Sequence, residues 1–300
     1  DLVFFYGDEV YADSVFQSIG KNAASPKRVW KRYVETRCRV PFYFSEKLTP
    51  VLGVWDDHDY GMNNGHAGRP DKQEVIDIFE TFFGQSWETE SYKKGPGVSS
   101  VLHAFGHTFF LLDGRSQRTT RCPFENKMLN WMKVNLKPDK RPTWLISGIQ
   151  FYGDYHDNES FAGTYPGRFK YFKNFLKALP HKFIFVSGDI HYTEIQNIKP
   201  SELGYQTYEI TSSCMHSLAL PSFPDKWFNK RRIYSSGRWN FVWMDLLSTA
   251  ANLNIYITVQ GADTTPLWRS VLNVPLKPKE PSPEFTDSTN QLAATEAKTF

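Results

Sequence analysis

Cysteine is scarce, with only Cys38, Cys122 and Cys214 among 300 residues. An odd number of widely spaced thiols excludes a disulfide framework and a cysteine-rich zinc site, although one pair could form in an oxidising compartment. Charge of one sign is also missing: 35 Lys plus Arg against 32 Asp plus Glu leaves 35 − 32 = +3. Without a dense basic stripe, no specific nucleic-acid partner is expected. No apolar run approaches the roughly 18 residues that a membrane helix needs. Thr108–Leu112 and Phe183–Val186, the best candidates, stop at Asp113 and just before Gly188. Glycine and proline, 19 and 18 residues, are near the globular average and exclude collagen-like or low-complexity classes. No repeat of fixed period is visible. The first residues lack a basic and apolar leader, because Leu2–Tyr6 already reads as a strand, so either nothing targets this chain or its start is missing.

What the sequence does contain is aromatic bulk, 24 Phe, 15 Tyr and 9 Trp, enough to fill a wide core or line a pocket. Short apolar runs at Leu2–Tyr6, Val51–Trp55, Phe109–Asp113, Trp144–Ser147 and Phe183–Ser187 read as buried strands. Between them, Pro26–Lys47, Asp71–Phe83, Glu125–Leu136 and Arg168–Leu179 carry apolar residues at helical intervals of three and four. This alternation predicts one α/β domain. From Tyr205 the period changes to two, at Tyr205–Thr211, Trp239–Leu246, Asn254–Val259 and Leu267–Val274, which predicts an added antiparallel or mixed sheet packed on the first. The domain is expected to span 1–275. Residues 276–300, polar and proline-rich, are expected to be a disordered tail, since they cannot offset the entropy of ordering by burial.

In α/β proteins ligands bind beyond the carboxyl ends of strands. Those positions here hold Gly7-Asp8-Glu9-Val10-Tyr11, then Asp56-Asp57-His58-Asp59 with Asn63 and Asn64, then Asp113-Gly114-Arg115 and Gly188-Asp189-Ile190-His191. Carboxylates brought together unpaired repel and lose hydration, so such a cluster persists when cations neutralise it. Carboxylate, imidazole and amide ligands without thiolate suit Fe, Mn, Ca, Mg or Zn. Two such ions could activate a bridging water for in-line attack on phosphorus, with Arg115 offering a planar donor fork to the phosphate oxygens.

The runs GDEVYAD, WDDHDYGMNN, LLDGRSQR and SGDIHYTE, in this order, resemble the signature of the PhoD-like alkaline phosphatases, a branch of the calcineurin-like metallophosphoesterases. The segments DKQEVIDIFETFFG, ISGIQ, NESFAGTYP and ITSS are similar too, so the resemblance extends from residue 1 to about 275. It implies a four-layer α/β/β/α sandwich, two central mixed sheets flanked by helices. It further implies hydrolysis of small phosphate esters by a metal-bridging hydroxide at a dinuclear centre. By the resemblance, the metal ligands are Asp8, Tyr11, Asp56 or Asp57, Asn63, Asp189 and His191. His58 is the residue that protonates the leaving alkoxide or stabilises the transition state, and Arg115 is the phosphate-binding arginine. A secreted or extracytoplasmic location is implied as well. The family carries an earlier strand with a first metal ligand, which this chain is expected to lack.

Blander readings exist for each residue. Asp8 could cap a helix over Glu9–Val15, Tyr11 could be a core tyrosine, and the Asp- and Asn-rich run could be a solvated turn. His191 could be structural, and Arg115 could pair only with Asp113. At the level of function, the alternatives are a phosphodiesterase or phospholipase on the same fold, or a truncated non-catalytic scaffold.

Overall fold

The computed structural model describes residues 1–13, 23–153, 160–212, 215, 222 and 229–276. Cys214 and the expected tail, Leu276 apart, lie outside them. Strands β1 (Val3–Tyr6) and β2 (Val51–Val54) pair in parallel, Val3 opposite Val51, and α1 (Pro26–Arg37) lies between them in the chain. The helical pattern expected through Lys47 ends ten residues early. Pro41 forces Val40 into an extended conformation, φ −84° and ψ 113°, and only a 3-10 turn at Pro41–Phe44 follows. Helix α2 (Lys72–Phe83) stops at Gly84, whose φ of 66° lets its N–H reach back to the Glu80 and Thr81 carbonyls.

Next in the chain come β3 (Tyr92–Lys94), β4 (Ser100–Ala104), β5 (His107–Leu112), α3 (Asn126–Val134), β6 (Thr143–Ser147), α4 (Phe161–Thr164), α5 (Pro166–Ala178) and β7 (Phe183–Ser187). After these are β8 (Thr193–Ile198), α6 (Pro200–Leu203), β9 (Thr207–Thr211) and β10 (Arg232–Ser236). Eight strands form one mixed sheet in the order β10-β8-β9-β7-β6-β5-β4-β3. Its centre, β9-β7-β6-β5, is parallel and its flanks are antiparallel. Strands β5, β6 and β7 are buried along their whole length, as continuous apolar runs in a covered parallel sheet should be.

Successive strand residues point to opposite faces, and Phe109 and Phe110 show what covers each. Phe109 meets Phe4 of β1 at 5.1 Å, while Phe110 meets Trp131 of α3 at 5.4 Å. The β1-β2 pair therefore lies on one face of the large sheet and the α3 side on the other. Beyond β1-β2, Phe79 of α2 packs on Trp55 at 5.1 Å, and Tyr33 of α1 packs on Phe82 at 4.8 Å. This is the expected helix, sheet, sheet, helix stacking. A third sheet, β11 (Asn240–Ser248), β12 (Asn252–Gly261) and β13 (Pro266–Pro275), is antiparallel throughout. Trp268 of β13 stacks on Tyr234 of β10 at 4.8 Å. No helix among the described residues is long and apolar enough to cross a membrane.

One grouping differs from the sequence reading. Strand β9 does not join the C-terminal sheet but lies between β7 and β8, with Ile210 beside both Val186 and Ile195. Its alternation of polar and apolar residues mimics a half-exposed strand. Glu209 is nevertheless wholly buried, because its carboxylate accepts from the amides of Phe151 (2.7 Å) and Tyr152 (2.8 Å) and from Ser187 Oγ (2.8 Å). Strand β8 was invisible for the same reason, since Glu194 and Gln196 are buried in a polar network rather than exposed.

Candidate metal centre

The carboxyl ends of β1, β2, β5, β6 and β7 converge with almost no side-chain bulk between them. At Gly7, φ 92°, a Cβ would stand 3.1 Å from Asp56 Cβ and 3.1 Å from Gly148 Cα, so the backbones after β1 and β6 touch around Asp56. The amide of Gly188, after β7, donates to the Gly148 carbonyl at 2.7 Å. The polar residues that follow are thereby brought into one small volume.

Asp8, Asp189 and His191 all adopt left-handed backbone conformations, with φ of 56°, 70° and 58°. Non-glycine residues rarely take this region, and it persists where surrounding structure imposes it, frequently at functional sites. The conformation also disposes of the capping reading for Asp8: no helix begins in the described residues 9–13. The segment is instead fastened to the turn after β2. Ala12 N–H donates to the His58 carbonyl at 3.1 Å, and Val10 N–H to Asp59 Oδ1 at 2.6 Å. Asp59 Oδ2 accepts from Asp56 N–H at 3.0 Å.

Asp8, Asp56, Asp57 and Asp189, all buried, each place a carboxylate oxygen within 4.8 Å of the others. Asp8, Asp57 and His58 form an overlapping group on the same criterion. The Tyr11 hydroxyl bridges Asp8 Oδ2 at 3.1 Å and His191 Nε2 at 3.2 Å, so the aspartate, phenol and imidazole named from GDEVY and GDIH do meet. Burial holds the Asp8 carboxyl well above the usual carboxylate range despite the charge of His58, and Asp57, Asp59 and Asp56 add to the rise. Asp8 Oδ1 and Asp57 Oδ1 are buried without a hydrogen-bond partner. Orphaned carboxylate oxygens among like charges are costly unless a cation sits among them, so the donor set fits hard metal ions.

Arg115 is completely buried, and its side chain turns to Asp56 rather than to Asp113. Both Nε and Nη2 bond the Asp56 carboxylate, the latter at 2.7 Å, in a bidentate pair. Nη2 also lies 3.9 Å from Asp57 and 3.7 Å from Asp189. Asp113 accepts instead from the Trp55 indole at 2.8 Å and from the backbone amides of Arg115 and Ser116, fixing the turn that aims the guanidinium.

His58 stacks on Tyr11 with ring centroids 4.4 Å apart, and its Nδ1 bonds Asp13 Oδ1 at 2.7 Å. Its Nε2 is 4.0 Å from Asp57 Oδ1. Burial alone would lower the imidazole pKa, but the Asp13 bond and the charges of Asp8 and Asp57 outweigh it and carry the group up to about 10. Asp13 went unassigned in the sequence reading although it closes the run GDEVYAD, because its partner is 45 positions away. Asn63 is half-buried in the turn after β2. Its neighbour Asn64 donates its backbone N–H to Asp57 Oδ2 at 2.5 Å and keeps a buried side-chain Oδ1 without a hydrogen-bond partner.

No family model matches this sequence, and no curated protein does either. Solved structures do resemble the fold. The structure of PhoD superposes with a TM-score of 0.65 at 16% identity, over 91% of this chain and 63% of that one. Purple acid phosphatase PPD1 from yellow lupin (Lupinus luteus) seeds gives 0.53 at 11% identity, over 90% of this chain and 46% of that one. The chain thus spans less than two thirds of either protein, and at such identities the likeness speaks for architecture alone. The chain thus shares the fold of PhoD and of this purple acid phosphatase, with its acidic cluster at the strand ends.

Proposed function

We propose that this chain is a metal-dependent phosphoesterase of the PhoD-like type, acting on small phosphate esters at a dinuclear centre. The observation that carries the reading is the convergence of Asp8, Asp56, Asp57 and Asp189 from three strand ends, with Asp8 Oδ1 and Asp57 Oδ1 buried and without a hydrogen bond. Asp8, Tyr11, Asp189 and His191 are assigned to one ion and Asp8 and Asp57 to the other. Asp56, already held by the Arg115 fork, borders the second site rather than leading it. Asn63 is retained as a ligand candidate, and Asn64 joins it through its orphaned amide oxygen. Bound ions supply the Lewis acidity that activates water and neutralises phosphoryl oxygens.

The remaining steps fall to the protein. Asp13 holds His58 by Nδ1 and orients the ring, so that Nε2 faces the carboxylate cluster, 4.0 Å from Asp57, where a proton donor for the leaving alkoxide is required. Arg115, fully buried with its fork on Asp56 and 3.7 Å from Asp189, fixes these carboxylates from beneath the cluster and does not present the fork to phosphate oxygens expected from the resemblance. The experiment is elemental analysis of the purified chain together with hydrolysis of a generic phosphate monoester and diester after metal supplementation. Wild type is expected to bind metal and release product, while Asp8→Asn and His191→Ala lower both metal content and rate. Hydrolysis unchanged in both variants overturns the site. Absence of bound metal and of turnover favours the scaffold reading, and a diester preference favours the phosphodiesterase.

A further inference from the structure

We propose that the outer edge of β11 is a self-association surface, on which a second copy of this chain lays its own β11 antiparallel about a two-fold axis at Met244. In the third sheet β11 bonds only to β12, so among the described residues no strand pairs with its other edge. It is nine residues long and carries a single charge, Asp245. Natural edge strands are normally blunted by lysine, proline, bulges or short length, and a long apolar edge without them is a template for another strand.

Both faces of β11 are unfinished. Its core-facing residues Val242, Met244 and Leu246 are only half-buried, whereas Leu253, Ile255 and Ile257 of the adjacent β12 are at most 1% exposed. On the outward face Phe241, Trp243 and Leu247 are 40%, 51% and 51% exposed. The apolar layer runs out at this edge instead of closing.

The order of residues argues for a second copy over any other occupant, because β11 is complementary to itself. Antiparallel pairing about Met244 sets Phe241 against the copy's Leu247 on the outer face and Val242 against Leu246 on the inner face. Trp243 then meets Asp245. Within one chain the Trp243 indole already donates to Asp245 at 3.2 Å, and the same donor and acceptor face each other across the axis. Neighbouring registers lose this match. An axis at Leu246 puts Asp245 against Leu247, one at Trp243 puts Phe241 against Asp245, one at Asp245 opposes two carboxylates, and one at Val242 leaves only Asn240–Met244 of the strand in register. A two-fold contact of this kind is isologous, closes on itself and continues the two three-stranded sheets into one of six.

The test is sedimentation equilibrium of the full chain over a wide concentration range, with the Phe241 and Leu247 variants chosen because both side chains are exposed and outside the metal centre. Wild type should approach twice the monomer mass. F241D and L247K should each be monomeric with unchanged melting. The double variant F241D/L247K should dimerise again, since Asp and Lys then face each other in this register. M244C should form a disulfide-linked dimer on oxidation, in contrast to the wild-type chain. A wild-type chain that stays monomeric at all concentrations overturns the proposal. So does a dimer that persists in L247K, or one that the paired charges fail to restore.

Discussion

Replacing Gly148 by alanine tests the close packing beneath the metal centre. A Cβ at this position would lie 2.5 Å from both Cβ and Cγ of Asp56 and 2.8 Å from its Oδ1. Carbon atoms pack at roughly 3.5–4.0 Å, so one backbone or the other must retreat by about 1 Å. Neither moves freely. The Asp56 carboxylate is held by Arg115 and its amide by Asp59, while Gly148 is tied to Gly188 through a 2.7 Å hydrogen bond. Overpacking of this kind costs about 1–3 kcal/mol, and loosening the buried ion pair raises the figure toward 3–5 kcal/mol. A loss near 3 kcal/mol corresponds to a melting temperature lower by about 6–10 °C for a domain of this size. Gly167, in the first turn of α5, is the control, because a Cβ there meets nothing within 4 Å. Gly167→Ala should melt at or slightly above wild type, since alanine is the better helix former. Calorimetric melts of the three proteins decide the matter. If Gly148→Ala melts with wild type and binds metal equally, the packing argument is wrong.

Arg115→Met leaves Asp56 buried without its guanidinium and should cost about 3–5 kcal/mol, whereas R115M/D56N should recover much of that loss in denaturant titrations. His107 accepts the Trp144 indole at 3.1 Å and is lowered to about 4 by burial, so the folded state resists a proton that the unfolded chain takes up near 6.5. Its contribution is therefore complete above pH 6.5 and is lost as the pH falls toward 4, by about 2–3 kcal/mol, a slope that His107→Phe should abolish in urea titrations across that range. Glu209→Ala removes the acceptor of the Phe151 and Tyr152 amides and should destabilise by more than about 2 kcal/mol, with faster hydrogen exchange at those two amides.

The convergence of the polar residues was legible where contact follows position in the chain. Asp8, Asp57, Asp189 and His191 stand directly after apolar runs, and a strand end delivers them to one place whatever the loops do. The different bonding of Asp56 and Asp57 was not legible. Adjacent residues at a strand end diverge, and what distinguishes them is Arg115, 59 positions away, which takes Asp56 as its partner. Asp13 and Asn64 were passed over on the same ground, since their roles depend on His58 and on an orphaned oxygen that only the folded turn creates.

Apolar periodicity by itself determined the α/β class, the main helices and the buried runs of β5, β6 and β7, because burial of apolar runs is local in sequence and largely indifferent to partner. Only tertiary structure placed β9 inside the large sheet, left the edge of β11 open and put Asp8, Asp189 and His191 in left-handed conformations. The first of these depends on polar partners distant in sequence. A buried glutamate such as Glu209 looks like a surface residue until the amides that satisfy it are brought beside it.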